Sequence, residues 1–171
     1  HVTYANLSSE TIERFFANTG AHIEFCRTQS PNIKNTIEVV EKARERNELY
    51  RLILGNDAPS GLGVFPLGIW EMICLVSGTA KLEPAQAVAC ATGNTAQAMG
   101  LQNVGTIAVG NWADLVICDA PVGATQDTAG DSIAAGTIPG VSMVFIDGQL
   151  MHEGEAINTA PPKREAVHVR A

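Results

Sequence analysis

Asp57 is the residue whose type and setting best suit chemistry. It follows the compact apolar run Arg51-Leu52-Ile53-Leu54, bounded by Gly55, and precedes Ala58-Pro59-Ser60-Gly61. Such a run reads as a strand buried on both faces of a parallel sheet. A carboxylate just past the carboxyl end of that strand can bind one divalent ion and hydrogen-bond the ion's water, as metal ligand and general base. The same acid can cap a turn before Pro59, and on local pattern alone this plainer role is favoured.

The other candidate groups are scattered. His1 reads as a ligand or as an ordinary terminal residue. His22 begins a strand and reads as structural, while His152 follows a hairpin and His168 lies in the tail, both in solvent. The cysteines stand at 26, 74, 90 and 118 with no C-x-x-C pair, which argues against a zinc knuckle or a thioredoxin-like redox motif. Cys74 and Cys90 lie in apolar helical patterns and read as buried, unreactive thiols. The pattern favours reduced thiols and a cytoplasmic setting. Gly61-x-Gly63 follows a strand, but Pro66 stands where a dinucleotide fingerprint needs its third glycine. A phosphate-binding P-loop and a G-x-S-x-G nucleophile elbow are both missing.

The elements that must carry Asp57 alternate between helix and strand. A helix runs from Ser9 to about Asn18, capped by Ser8 or Ser9, with Ile12, Phe15 and Phe16 as its stripe and Gly20 as its stop. Ala21 to Cys26 alternates at period two, a short strand. Ser30 and Pro31 open the next helix, which buries Ile33, Ile37 and Val40, pairs Glu38 with Lys42, and ends near Glu48. The order helix, strand, helix, strand over residues 9–54 implies a parallel sheet, whose active residues gather past the carboxyl ends of its strands. Helices follow over about Leu67–Val76, from Pro84 towards Thr92, and over Asn94–Met99, stopped by Gly100. Beyond Gly105 the character changes to a strand over Ala113–Cys118, a Gly/Ala/Thr-rich stretch, and a hairpin over Val141–His152 turned by Asp147-Gly148. Residues after Asn158 read as an extended tail.

Composition narrows the class. Apolar residues are 46% and charged residues 17%, which is globular rather than disordered. The net charge of −7 disfavours binding to nucleic acid or to an anionic membrane surface. No stretch approaches the roughly 18 apolar residues of a membrane span, and no signal peptide is visible. At 171 residues the chain is too short for a complete (β/α)₈ barrel, which needs about 250.

The motifs then converge on one resemblance. Arg51 to Gly61 resembles the eighth barrel strand of the amidohydrolase superfamily and the loop after it. Leu82-Glu83-Pro84, Ala91-Thr92-Gly93-Asn94-Thr95-Ala96 and Met99-Gly100-Leu101 resemble the helix after the barrel. Gly105-Thr106-Ile107-Ala108-Val109-Gly110-Asn111-Trp112-Ala113-Asp114-Leu115-Val116 resembles that family's G-x-I-x-x-G-x-x-A-D-L-V signature, and Val144 to Leu150 its closing hairpin. Gly55–Gly61, Pro66 to Ile69 and Ala134 to Gly140 are most similar to the cyclic-amide hydrolases of the superfamily, the enamidases.

The resemblance implies an α/β fold, the C-terminal portion of a (β/α)₈ TIM-type barrel followed by part of a small β-sandwich. Residues 1–101 would be the barrel part, with strands seven and eight; residues 102–158 the sandwich segment; residues 159–171 the tail. It implies hydrolysis of a non-peptide C–N bond by metal-activated hydroxide. The metal would be divalent, zinc foremost, with iron or a mixed pair as alternatives. Asp57 would be the strand-eight ligand and proton carrier, and His1 the strand-six ligand. The implied partner is a small-molecule substrate, with no nucleic acid and no membrane, and the full-length protein would be a homo-oligomer. The strand-one H-x-H, the strand-four Lys or Glu and the strand-five His have no counterpart here, and Lys34, Lys42, Lys81 and Lys163 are not at strand ends. Two ligands cannot hold a catalytic zinc, which takes three and a water, so the chain alone is expected to be inactive. The alternatives are a non-catalytic scaffold derived from a partial barrel, or a relative acting as deaminase, dipeptidase or esterase.

Overall fold

A computed structural model describes residues 7–27, 33–59, 63–154 and 158–169. The first helix, α1, covers Ser9–Asn18; extended Ser8 caps it, its hydroxyl accepting from the Thr11 amide at 3.2 Å. The helix closes at Thr19, one residue before Gly20, because the Thr19 amide and hydroxyl both donate to the Phe15 carbonyl. Ile12 and Phe16 face the core.

Strand β1 is Ile23–Cys26 and β2 is Leu52–Gly55, paired in parallel with Ile23 opposite Leu52 and Cys26 opposite Gly55. Ala21 and His22 lie outside β1, and Arg51 belongs to a 3-10 turn, Leu49–Arg51, rather than to β2. Alternation along the pair puts Ile23, Phe25, Leu52 and Leu54 into the helix-covered core. Glu24, Cys26, Ile53 and Gly55 take the opposite face.

Between the strands runs α2, Ile33–Glu45. Its expected start at Ser30 and Pro31 lies outside the described residues. The expected stripe is corrected: Ile33 is exposed, and the buried residues are Asn35, Thr36, Val39, Val40 and Ala43. The face has rotated because α2 packs against α1 and against the following helix at once. Asn35 can be buried because its amide accepts from the Leu7 amide (3.0 Å) and donates to the Leu7 carbonyl (2.9 Å). Lys42 reaches Glu13 on α1 at 3.0 Å and Glu45 at 2.9 Å in place of the expected Glu38.

Three helices follow β2: α3 (Gly68–Ala80), α4 (Pro84–Ala91) and α5 (Gly93–Met99). α4 and α5 pack on β2, and α3 packs on α2 and α4. Asn94 pins α5 to β2, its amide donating to the carbonyls of Leu49 and Leu52, each at 3.0 Å.

The rest is an antiparallel sheet, β3 (Leu115–Asp119), β4 (Gly140–Ile146) and β5 (Gln149–Glu153), in that order. A short helix, α6 (Ala129–Ala134), connects β3 to β4 and packs on α3 and α4 through buried Ile133. Asp147 (φ 49°) and Gly148 (φ 73°) make the two-residue turn between β4 and β5. The tail is extended but anchored. Pro162 bridges Pro121, the Lys163 amide donates to the Ala120 carbonyl at 2.7 Å, and Arg164 pairs with Asp119 through two bonds of 2.6 and 2.7 Å. No helix among the described residues is long and apolar enough to cross a membrane.

Candidate functional site

The carboxyl ends of β1 and β2 converge on the residues that carry the most chemistry. Gly55 ends β2, Asn56 follows, and Asp57 is exposed with φ 51°, a left-handed conformation that Asp and Asn tolerate better than other non-glycine residues. The chain therefore turns sharply at Asp57, two residues past the end of β2. The Glu24 carboxylate lies against Gly55, and a methyl group there would force it to shift.

Cys26 lies on the same face as Glu24, fully buried. Burial pushes its thiol up to about 12, reinforced by the Glu24 carboxylate beside it and by the charge of Asp57. A thiol held protonated in this way is a poor nucleophile and a poor metal ligand at neutral pH. Cys74 and Cys90 are buried within the helices, their thiols pushed up by burial to about 11 and about 12, as their apolar patterns implied.

Phe65 and Leu67 lead into α3. The Asn56 side chain donates to the Phe65 carbonyl at 3.0 Å, and its Oδ1 is buried against Gly68 with no hydrogen-bond partner among the described residues. Arg27, just after β1, pairs with Glu71 on α3 and lies over the Phe65 ring, 4.8 Å from its centre.

Of the candidate residues, Asp57 stands where the strand reading placed it, and His1 lies outside the described residues. His22 is exposed before β1, at the opposite end of that strand. The reading of His152 as solvated is corrected. Its side chain is half-buried and Nε2 is enclosed with no hydrogen-bond partner among the described residues, because β5 pairs it opposite Val144 inside the small sheet. His168 is exposed and meets the edge of Phe145, 5.9 Å between ring centres. Among the described residues no group of three or more His, Cys, Asp or Glu could hold a metal ion. Asp57 supplies one oxygen donor, which fits one position of a catalytic zinc but not a whole site. Sequence reasoning missed Glu24, Arg27 and Asn56. The period-two alternation of residues 21–26 was the available signal for Glu24, since it sets Glu24 and Cys26 on one face.

Comparison with known proteins agrees with this arrangement. Residues 1–151 match the Amidohydrolase family. Enamidase of Eubacterium barkeri is 41% identical over 160 residues, covering 94% of this chain and 40% of the relative. The crystal structure of enamidase matches with a TM-score of 0.86 at 40% identity, covering 93% of this chain and 40% of that one. A β-aspartyl dipeptidase from Fervidobacterium islandicum AW-1, solved with β-Asp-Leu dipeptide, matches with a TM-score of 0.60 over 98% of this chain and 41% of that one. At 19% identity, that likeness is of fold alone. The chain thus spans 40% of the length of the curated relative it matches. A mixed α/β chain whose sharpest feature is an acid just past a parallel strand, matched to this pattern over residues 1–151, belongs to the amidohydrolase family.

Proposed function

We propose that this chain is the C-terminal part of an enamidase-like hydrolase that opens a non-peptide C–N bond in a cyclic amide. Residues 1–101 form the end of its barrel, residues 102–158 part of a β-sandwich, and residues 159–171 the tail. The observation that carries the reading is the position of Asp57, turned out of β2 at the carboxyl end of a parallel pair, in a chain 41% identical to enamidase. Asp57 takes the proton of the attacking water and delivers it to the leaving ring nitrogen, a general base that becomes a general acid. A divalent metal, zinc foremost and iron or a mixed pair as alternatives, supplies carbonyl polarisation when bound. Asp57 is one ligand and His1 a second, and the remaining ligands come from outside this chain. The substrate is a small molecule, and the full-length protein is a homo-oligomer.

The test is Asp57→Asn in the full-length protein. Asn tolerates the left-handed backbone at this position, so thermal stability should hold. Turnover of the cyclic imide glutarimide, whose ring holds the same kind of C–N bond in activated form, should fall by about 10²–10⁴-fold, the usual range for a lost general base. Wild-type turnover by the variant would overturn the assignment.

A further inference from the structure

We propose that Arg27, Phe65 and Glu71 form a positioning brace, tied to β2 by Asn56, that sets the direction in which Asp57 leaves the strand. The inference rests on the reading of Asp57 given above. The contacts close into a ring. The Arg27 backbone amide donates to the Gly55 carbonyl at 3.2 Å, so Arg27 continues the β1–β2 ladder by one bond. Its guanidinium crosses to α3 and pairs with Glu71, with the Phe65 ring against it. The Phe65 carbonyl accepts from the Gly68 amide at the start of α3 and from the Asn56 side chain, each at 3.0 Å. Asn56 immediately precedes Asp57, so the ring returns to the residue that aims the acid.

Two features separate this ring from ordinary core packing. None of Arg27, Asn56, Phe65 and Glu71 belongs to the hydrophobic core cluster, so the ring can open while the core stays intact. Gly68 also lies against the Asn56 amide, so a Cβ there would force that side chain to shift from its bond to Phe65. The Arg27–Glu71 pair is part-exposed, with side-chain accessibilities of 26% and 37%, so its contribution to global stability is small. Its effect is directional. It joins the end of β1 to the first turn of α3, and the Arg27 amide and the Asn56 side chain tie that join to the end of β2.

The experiment uses the full-length protein with Arg27→Met, Phe65→Leu and Phe65→Tyr. Two readouts are taken: kcat and KM on glutarimide, and hydrogen exchange at the backbone amides of Asn56 and Asp57. Misplacing a reacting group by about 1 Å costs up to about 100-fold in rate. Arg27→Met and Phe65→Leu should therefore lower kcat by about 10- to 100-fold with KM nearly unchanged, and speed exchange at both amides. Phe65→Tyr, which keeps the ring, should restore both. Unchanged exchange in Arg27→Met, faster exchange with wild-type kcat, or Phe65→Tyr falling as far as Phe65→Leu would each overturn the brace. If Arg27→Met does not fold, Glu71→Gln is read in the same way. Full turnover by Asp57→Asn would sink the functional reading instead, and without glutarimide turnover by the wild type the exchange arm alone judges the brace.

Discussion

The parallel pair β1–β2 and the antiparallel sheet β3–β4–β5 reach order by different routes. In the parallel pair every partner is remote in sequence, the register is uninterrupted, and helices cover one face with core residues such as Phe25 and Leu54. The antiparallel sheet joins β4 to β5 by a two-residue turn and β3 to β4 by the longer connection through α6, carries irregularities between Ile117 and Cys118 and between Val144 and Phe145, and leaves Val116 and Met151 exposed. Parallel strands cannot be joined by tight turns, so their placement depends on the crossover helix and its packing. Antiparallel strands are placed by their turn and tolerate one wet face. Asp57 belongs to the first kind of region, where position is set by tertiary contacts.

Each region holds an arginine–carboxylate pair, and the two pairs put this contrast to the test. Arg51 is 2% exposed, paired with Glu48, hydrogen-bonded to the Ala21 carbonyl at 3.0 Å, and set against Phe15 and Phe16 with ring centres 5.1 and 4.9 Å away. Arg51→Ala leaves a cavity and takes from Glu48 one of its two arginine partners, Arg46 remaining at 3.3 Å. It should destabilise the chain by about 3–5 kcal/mol, measured by urea unfolding. A loss under about 1 kcal/mol would show that the buried pair is dispensable.

A smaller effect is expected at the turn of the antiparallel sheet. Gly148 adopts φ 73°, where a β-branched residue is strained, so Gly148→Val should cost about 1–2 kcal/mol. The loss should appear as faster exchange confined to β4 and β5. Equal loosening of β1 and β2 would show that the two regions are one cooperative unit.

The smallest effect concerns Arg164, whose side chain is 71% exposed, and Asp119. Hydrogen bonds from Arg164 hold the Asp119 carboxyl at about 2, below its ordinary value of 3.8. The folded value is the lower one, so the stabilisation is fully present above about pH 4 and is lost as pH falls towards 2. Arg164→Ala should therefore lower the melting temperature near neutrality, modestly because the side chain is exposed, leave it unchanged near pH 2, and so flatten its fall between about pH 4 and pH 2. An unaltered acid limb would remove the pair from any role in anchoring the tail.

Two helix starts, at Ser8 and at Pro84, were legible from single residues, because a cap acts over one turn. Ser8 stops one chain direction and starts another by accepting an amide three residues on, and Pro84 opens α4 with its own fixed backbone. Asp147-Gly148 was legible for the same reason. The buried face of α2 was not, because α1 and α3 press on it from two sides and Asn35 finds backbone partners at Leu7. Arg51 was misread as the start of a strand, since nothing local reveals that two aromatic rings and Glu48 will enclose it. Asp57 was legible as a place in a pattern; the company it keeps was not.

By itself the sequence determined the order of elements, the capped ends, the hairpin turn and the acid after β2, all of which depend on interactions spanning a few residues. Only the tertiary structure decided which face of α2 is buried, that Gly55 lies beside the Glu24 and Cys26 side chains, that the tail is clamped at Asp119, and that Arg27 meets both Phe65 and Glu71. Those features join residues more than about twenty positions apart or on separate elements. Their free energy appears only after the chain has met the entropic cost of bringing the elements together.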